Sequence, residues 1–201
     1  MSIENQGIVL LSVAYHSDKP LRKLADELSL QTKRPKRWIV IDNSPLTSTQ
    51  IEIHTEFKTD IVVGKEGDGF AKGCNLGLDF LLEIGWEGWV WLLNPDTELQ
   101  NKNLIEELEQ ELSPLPANSL VGTAVFDGKG NLEKSAGWID PGVDFRKRRV
   151  SQLMLDEKKK ISVDWLSGCS LLIKPSAHQN QPRFENAFPL YYEDMDFCLR
   201  L

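Results

Sequence analysis

The first half of the chain alternates apolar runs of strand length with segments of helix length, and this order constrains the fold more than any other feature. The predicted strands are GIVLLSVAY (7–15), KRWIVIDNS (36–44), DIVVG (60–64) and WEGWVWLLNPD (86–96). The predicted helices are SDKPLRKLADELSLQT (17–32), GFAKGCNLGLDFLLEIG (69–85) and NKNLIEELEQEL (101–112), with a weaker one at TSTQIEIHTEF (47–57). Near-continuous apolar strands that alternate with helices indicate a mostly parallel sheet with right-handed crossovers.

The second half is rich in strands and has a mixed pattern. LVGTAVFDGKGNLEKSAGWI (120–139) predicts a hairpin around the turn Asp127–Gly130, and VDWLSGCSLLIKP (163–175) predicts a strand pair or one bent strand. The biased stretch FRKRRVSQLMLDEKKK (145–160) predicts a mobile loop within the domain. We therefore expect a single α/β domain in which a flanked parallel sheet precedes a strand-rich half.

Charge and cysteine content exclude several classes of function. The chain has 201 residues and a net charge of −7, which argues against nonspecific nucleic-acid binding but permits a phosphorylated small molecule held through a divalent metal. The three cysteines are far apart, which favours reduced thiols over a disulfide framework or a zinc site. With neither a signal peptide nor an apolar run of membrane-spanning length, the sequence predicts a cytoplasmic protein.

Two aspartates follow apolar runs at the predicted ends of strands. Asp42 ends the second run and Asp96 follows the fourth, so both are expected at the carboxyl edge of the sheet, where open parallel sheets bind ligands. Either residue alone has an ordinary alternative as a helix cap or turn aspartate. That alternative weakens because both residues fall on the same edge.

Three glycines lie four residues apart on the second strong helix. Gly69, Gly73 and Gly77 leave one helical face without side chains, although each glycine costs about 1 kcal/mol relative to alanine. The spacing has two interpretations, namely close packing of the helix on the sheet or close approach of a phosphate ligand to the helix start.

The segment FENAFPLYYEDMDFCLRL (184–201) places Glu193, Asp194 and Asp196 within an apolar stretch. An unpaired carboxylate costs several kcal/mol to bury, so a purely structural use is unfavourable. We expect the neighbouring apolar residues to enclose a dry pocket that one of these acids serves.

Four motifs, taken in order, resemble the family 2 glycosyltransferases, with the closest likeness to the rhamnosyltransferase-type members that build bacterial polysaccharides. The motifs are GFAKGCNLG, NPDTEL, DWLSGCSLLIKP and FPLYYEDMDFCLRL. The resemblance implies the GT-A fold, with a nucleotide-binding half at about 1–100 and an acceptor-binding half at about 101–201. It also implies inverting transfer of a sugar from a UDP- or dTDP-linked donor to a saccharide or lipid-linked acceptor. Members of the family usually continue well past the Glu-Asp motif, so the chain is expected to be truncated at its C-terminus.

The resemblance also implies roles for individual residues. Asp194 matches the general base that deprotonates the acceptor hydroxyl. Asp96 matches the acid that holds Mg²⁺ or Mn²⁺ against the donor diphosphate, and Asp42 matches the acid that recognises the nucleotide base. The other implied residues are Tyr15, Gly73, Asn75 and Asn94 on the donor side and Trp165, Gly168 and Glu193 on the acceptor side. These residue types suit the chemistry, because a sugar hydroxyl needs a proton acceptor and a diphosphate leaving group needs a cation.

The metal motif departs from the family pattern and leaves a second interpretation open. Asn94-Pro95-Asp96 has one carboxylate where the full motif has two, which also permits a module that binds nucleotide sugar or glycan without turnover. A nucleotidyltransferase is disfavoured because SVAYHSDKP lacks a glycine-rich phosphate loop, and a dehydrogenase because no dinucleotide fingerprint is present. The basic runs 146–149 and 158–160 predict either a solvated loop or peripheral docking to an anionic membrane.

Overall fold

The structure is a computed structural model that describes residues 7–45, 51–133, 135–139, 150–152, 160–188 and 190–201. Most of the basic stretch 145–160, and with it the prediction of a mobile or membrane-docking loop, lies outside the described residues.

Nine strands and four α-helices make up the regular structure of the described residues. The strands are β1 (Ile8–Ala14), β2 (Arg37–Asp42), β3 (Thr59–Val63), β4 (Trp89–Leu93), β5 (Val121–Gly122), β6 (Ala136–Ile139), β7 (Val150–Gln152), β8 (Trp165–Leu166) and β9 (Ser170–Ile173). The helices are α1 (Asp18–Ser29), α2 (Phe70–Glu83), α3 (Leu104–Leu112) and α4 (Glu193–Arg200), with a short 3₁₀ turn at Pro175–Ala177.

The main sheet has six strands in the order β3-β2-β1-β4-β9-β5. The first four strands are parallel, while β9 runs antiparallel to both β4 and β5. A separate sheet has the order β7-β6-β8 and is antiparallel. The predicted mostly parallel sheet with a mixed second half is therefore confirmed.

Successive residues of the central strands face opposite sides of the sheet and build two cores. Ile8 and Leu10 pack with α1 and α3 on one side, whereas Val9 and Leu11 pack with α2 and α4 on the other. The leucine stripe of α1 is fully buried, as its helical spacing predicts; it comprises Leu21, Leu24 and Leu28. Burial of the strands on both faces explains why their sequences are apolar without alternation.

The glycine face of α2 packs against the sheet. A Cβ on Gly73 would lie 2.5 Å from Val13 of β1, and one on Gly77 would clash with Leu11. The packing interpretation of the glycine spacing is therefore confirmed for these two positions. The helix ends where Gly85 adopts φ +66° and its N–H bonds to the Leu82 carbonyl, an arrangement that favours glycine.

Two sequence predictions were wrong in detail. Residues 51–57 contain no helix, because Ile51, Ile53 and Phe57 occupy alternate inward positions against the core and this two-residue period suits extended backbone. The hairpin predicted around Asp127–Gly130 does form, but it is short: it has one Phe126–Leu132 bridge, and the Glu133 N–H donates to the Val125 carbonyl at 2.8 Å. Its predicted arms pair elsewhere, since β5 pairs with β9 whereas β6 pairs with β7 and β8.

The C-terminal segment is also more exposed than its composition predicts. Leu190, Tyr191, Tyr192 and Leu199 are exposed, and only Glu193 and Phe197 of α4 are buried. The predicted dry pocket of apolar residues around the acids is therefore wrong for these side chains. A search of the described residues finds no helix with the length and apolar character needed to cross a membrane.

Candidate functional site

The strand register brings the predicted donor residues to one edge of the sheet. Ala14 of β1 lies beside Asp42 of β2, so Tyr15, the next residue, emerges at the same edge. β4 runs parallel to β1 on its other side, and its carboxyl end leads directly into Asn94 and Asp96. Side chains from three neighbouring strand ends thus share the edge at which parallel sheets bind ligands; we call this the donor edge.

Two residues that sequence reasoning missed hold the turns of the donor edge. The Ser44 hydroxyl accepts a hydrogen bond of 2.8 Å from the backbone N–H of His16, which has φ +50°, while the Ser44 N–H donates to Asp42 Oδ1 at 2.9 Å. The buried Asn43 donates from Nδ2 to the Asp68 carbonyl at 2.6 Å. Their position directly after the second apolar run was the available signal.

Asp96 suits a cation that is completed by phosphate oxygens. It is exposed and takes part in none of the ion pairs formed among the described residues. No group of three or more His, Cys, Asp and Glu side chains within that part of the chain is arranged to hold a metal. A single accessible carboxylate still fits Mg²⁺ or Mn²⁺, because such ions often use one or two protein carboxylates together with substrate phosphates and water.

The antiparallel strand β9 connects the donor edge to the second half of the chain. Ser170, at the start of β9, pairs with Leu93, at the end of β4. The Asn94 N–H donates to the Cys169 carbonyl at 3.0 Å, which fixes the turn between β8 and β9 beside the segment 94–96.

The same turn holds Asp194 at the start of α4. The Gly168 N–H donates to Asp194 Oδ2 at 3.0 Å, and the Met195 N–H donates to Oδ1 at 2.8 Å. Gly168 must lack a side chain here, because a Cβ would lie 2.7 Å from the Phe70 ring and 3.6 Å from the Asp194 Cβ. Asp194 remains half-buried, so its carboxylate is oriented by backbone donors but is still reachable.

The other two acids of α4 differ from Asp194. Glu193 is only 6% exposed and its Oε2 has no hydrogen-bond partner within the described part of the chain. Burial raises the pKa of Glu193, and the neighbouring charge of Asp194 adds to the rise. Asp196 forms an ion pair with Arg200 at 2.7 Å and lies in the first helical turn.

The cysteines next to these acids remain thiols. Burial raises the pKa of Cys198 to about 11 and also raises the pKa of Cys74 and Cys169. All three are free cysteines in the structure.

Comparison with known proteins adds independent support for the fold. No protein-family model matches the chain. It is 23% identical over 193 residues to the low-salt glycan biosynthesis hexosyltransferase Agl10 of Haloferax volcanii, covering 95% of this chain and 60% of Agl10. It is 24% identical over 219 residues to the N-acetylglucosaminyl-diphospho-decaprenol L-rhamnosyltransferase of Mycobacterium tuberculosis, covering 96% and 69% respectively.

Two solved structures share the architecture. S. aureus TarS 1–349 matches with a TM-score of 0.66 and 17% identity over 96% of this chain and 54% of that one; the same fragment is known in complex with UDP. The mannosyltransferase PcManGT from Pyrobaculum calidifontis, in complex with GDP-Man and Mn²⁺, matches with a TM-score of 0.60 and 14% identity. The match covers 94% of this chain and 50% of that one. These two structures show that the chain has the GT-A fold.

The chain spans 60–69% of the length of the two curated relatives that it matches. Seven of its predicted site residues lie at the donor edge or around the start of α4, namely Tyr15, Asp42, Asn94, Asp96, Gly168, Glu193 and Asp194. Gly73 instead packs on β1, and the Asn75 side chain bonds to the Phe184 backbone.

Trp165, the remaining acceptor-side residue, lies on β8, where the next residue, Leu166, donates its N–H to Cys198 Sγ of α4 at 3.4 Å. It is 8% exposed and lines a cavity of about 1210 Å³ together with Leu108 of α3, Val121 of β5 and Cys198 of α4. Cys198 lies one helical turn after Asp194, so the cavity begins close to the start of α4.

Proposed function

We propose that the domain transfers a sugar from a pyrimidine nucleoside diphosphate, UDP or dTDP, to a hydroxyl group of a saccharide or lipid-linked acceptor. The observation that carries the proposal is the turn between β8 and β9, which bonds to Asn94 at the metal motif and to Asp194 on α4. A donor-binding edge and a reachable carboxylate are thereby held next to each other.

The nature of the sugar and the acceptor rests on the relatives. The mycobacterial relative is named for L-rhamnose transfer to a lipid-linked sugar diphosphate, and the archaeal one for hexosyl transfer in glycan biosynthesis. We extend rhamnose or another hexose, a lipid-linked acceptor and a role in polysaccharide biosynthesis to this chain. Docking to an anionic membrane stays a proposal, because all residues of the two basic runs except Lys160 lie outside the described residues. The free cysteines support a cytoplasmic setting.

In the proposed reaction Asp194 accepts the proton of the acceptor hydroxyl. The acceptor oxygen then bonds to the anomeric carbon of the donor sugar while the bond from that carbon to the phosphate oxygen breaks. The nucleoside diphosphate leaves with the electron pair. The two backbone N–H groups on Asp194 fix the direction of its carboxylate, which is what a general base needs in order to meet the hydroxyl at hydrogen-bond distance.

The donor edge holds the leaving group in this scheme. Asp96 would hold Mg²⁺ or Mn²⁺, which neutralises the charge that develops on the diphosphate. Asp42 would accept the N3–H of uracil or thymine, and the side chain of Tyr15, which is 57% exposed, would cover the nucleoside. The configuration of the anomeric carbon would be inverted by a single displacement, in which Asp194 activates the acceptor on the face of the sugar opposite the diphosphate.

A thermal-shift panel tests the donor class directly. UDP, dTDP, GDP and ADP are each added with and without Mn²⁺ to the purified chain. A ligand present at about 100 times its Kd stabilises a folded protein by about 2.7 kcal/mol, which is easily detected. We expect Mn²⁺-dependent shifts for UDP or dTDP that exceed those for ADP. Binding without transfer in a parallel assay of the intact protein would identify a nucleotide-sugar binding module instead.

A further inference from the structure

We propose that Asn75 is a positioning residue for Asp194 and not a ligand of the donor. This inference rests on the proposed role of Asp194 as general base. Asn75 lies on α2, and a closed path of contacts joins it to the carboxylate of α4.

The first step of the path is a three-point attachment of one backbone segment. Asn75 Nδ2 donates to the Phe184 carbonyl at 2.9 Å and to Asn186 Oδ1 at 3.0 Å, and Asn75 Oδ1 accepts the Phe184 N–H at 2.9 Å. The side-chain amide therefore uses both its donor and its acceptor on this segment. It has little hydrogen-bonding capacity left for a nucleotide.

The second step connects the attached segment to α4. The Phe184 ring stacks on the ring of Phe197, with centroids 4.0 Å apart and planes 5° from parallel. Phe184 and Phe197 are 2% and 0% exposed, so this contact is part of the core and cannot rearrange without opening it. Phe197 lies three residues after Asp194, on a neighbouring part of the helical face.

A second connection runs in parallel at the surface. Arg183 forms an ion pair with Asp79, one helical turn after Asn75 on α2, and the Arg183 carbonyl accepts a hydrogen bond of 2.8 Å from Arg200 at the end of α4. Exposed pairs of this kind contribute little, so we assign most of the positioning to Asn75 and the aromatic stack.

The path closes on α2. Asp194 accepts a hydrogen bond from the Gly168 N–H, and the turn that contains Gly168 packs against the Phe70 ring at the start of α2. The Phe70 ring in turn meets the Phe184 ring edge to face, with centroids 5.8 Å apart. The start of α4 is therefore fixed from two sides of α2. Removing Asn75 frees one side and leaves the buried Phe184 backbone without its partner, which allows α4 to shift.

The Gly168 amide gives a direct readout of Asp194 that needs no substrate. Because the Gly168 N–H donates to the Asp194 carboxylate, its NMR chemical shift should change as acid protonates that group. In Asn75→Ala we expect this pH-dependent change to be lost or strongly reduced. The Kd for UDP in the presence of Mn²⁺ should stay within about twofold of the unmodified protein's. By contrast, kcat should fall about 10²-fold, the usual effect of a misplaced catalytic group.

Two further variants separate positioning from general destabilisation. Phe184→Leu keeps an apolar core but removes the stack, and it should reproduce the altered Gly168 signal even if Asn75→Ala fails to fold. Asn101→Ala is the matched control, because Asn101 also bonds through its side chain, to Glu107 and the Asn103 backbone, but on the α3 side. It should leave the Gly168 signal unchanged.

The proposal is overturned if Asn75→Ala weakens UDP binding while the Gly168 amide still titrates as in the unmodified protein, since Asn75 would then be a donor ligand. It is equally overturned if Phe184→Leu and Asn75→Ala both leave kcat and the Gly168 signal unchanged. A wrong assignment of Asp194 as the general base would give a different result. Asp194→Asn would then transfer sugar at the normal rate, while Asn75→Ala would still alter the pH-dependent Gly168 signal.

Discussion

The donor edge and the start of α4 both present carboxylates, but they are built in opposite ways. At the donor edge, Asp96 is exposed and has no ion-pair partner in the described part of the chain. At the start of α4, Asp194 accepts two backbone hydrogen bonds, and its helix is fixed by the aromatic stack of Phe184 and Phe197.

This difference indicates which site a ligand must complete. A cation and a diphosphate can supply the contacts that Asp96 lacks, so the donor edge is suited to form fully only when the donor binds. The Asp194 carboxylate is oriented before any ligand arrives, as preorganised catalytic groups require. Substitutions at the donor edge should therefore change binding, and substitutions at the start of α4 should change transfer.

The largest expected effect is that of Asp194→Asn on transfer. Asparagine keeps the shape but cannot accept the proton, so transfer by the intact protein should fall by about 10² to 10⁴. Donor affinity should hold within a few-fold, because the residues proposed to bind the nucleotide lie at the donor edge. Asp196→Asn, which alters a neighbouring acid of the same helix, is the control. Near-normal transfer by Asp194→Asn would remove the base role, and a dead Glu193→Gln variant would transfer it to Glu193.

Asp96→Ala should have the next largest effect, on binding of the nucleoside diphosphate. Loss of the carboxylate should remove the Mn²⁺-dependent part of UDP affinity, by about 10- to 100-fold on the scale of metal-site substitutions. Calorimetric titration of UDP with and without Mn²⁺ measures this Mn²⁺-dependent part of the affinity. Glu98→Gln is a close control, since Glu98 is exposed and pairs with Lys23. Unchanged Mn²⁺ dependence in Asp96→Ala would exclude Asp96 as the metal ligand.

Asp42→Asn tests recognition of the base at the same edge. A carboxylate accepts the N3–H of uracil or thymine and meets no such donor on adenine, so UDP or dTDP should bind more tightly than ADP. Loss of one charge-assisted hydrogen bond should reduce this preference by about tenfold or more. Equal Kd values of the unmodified protein for UDP, dTDP and ADP would contradict the assignment.

The sequence predicted the first half of the fold well because its signals are local. Long apolar runs such as Ile8–Ala14 and the leucine stripe of α1 each determine their own structure, and the order of elements then determines the parallel sheet. Asp42 and Asp96 were placed correctly at the sheet edge for the same reason.

The second half was predicted less well because contacts distant in sequence organise it. β5 and β8 are two residues long, too short to show a period, and their pairing with β9 and β6 separates the arms of the expected hairpin. The role of Asn75 depends on Phe184, which is 109 residues away along the chain. Tyr191 and Tyr192 are exposed and both have φ +68°, a conformation that no apolar pattern predicts.

The smallest effect that we predict concerns stability and separates Glu193 from Asp194. Burial raises the pKa of Glu193 in the folded state, so its favourable contribution is present below the ordinary carboxyl pKa and is lost as pH rises through the folded-state pKa. Glu193→Gln removes this loss, so the variant should gain stability relative to the unmodified protein as pH rises, reaching about 1 kcal/mol near neutrality, the scale of a buried unsatisfied polar group. Urea denaturation over a pH series measures the difference, and Glu66→Gln, at an exposed position, should show none. A difference that shrinks with rising pH would mean that the protein stabilises the Glu193 carboxylate, which would contradict its buried, unpaired Oε2.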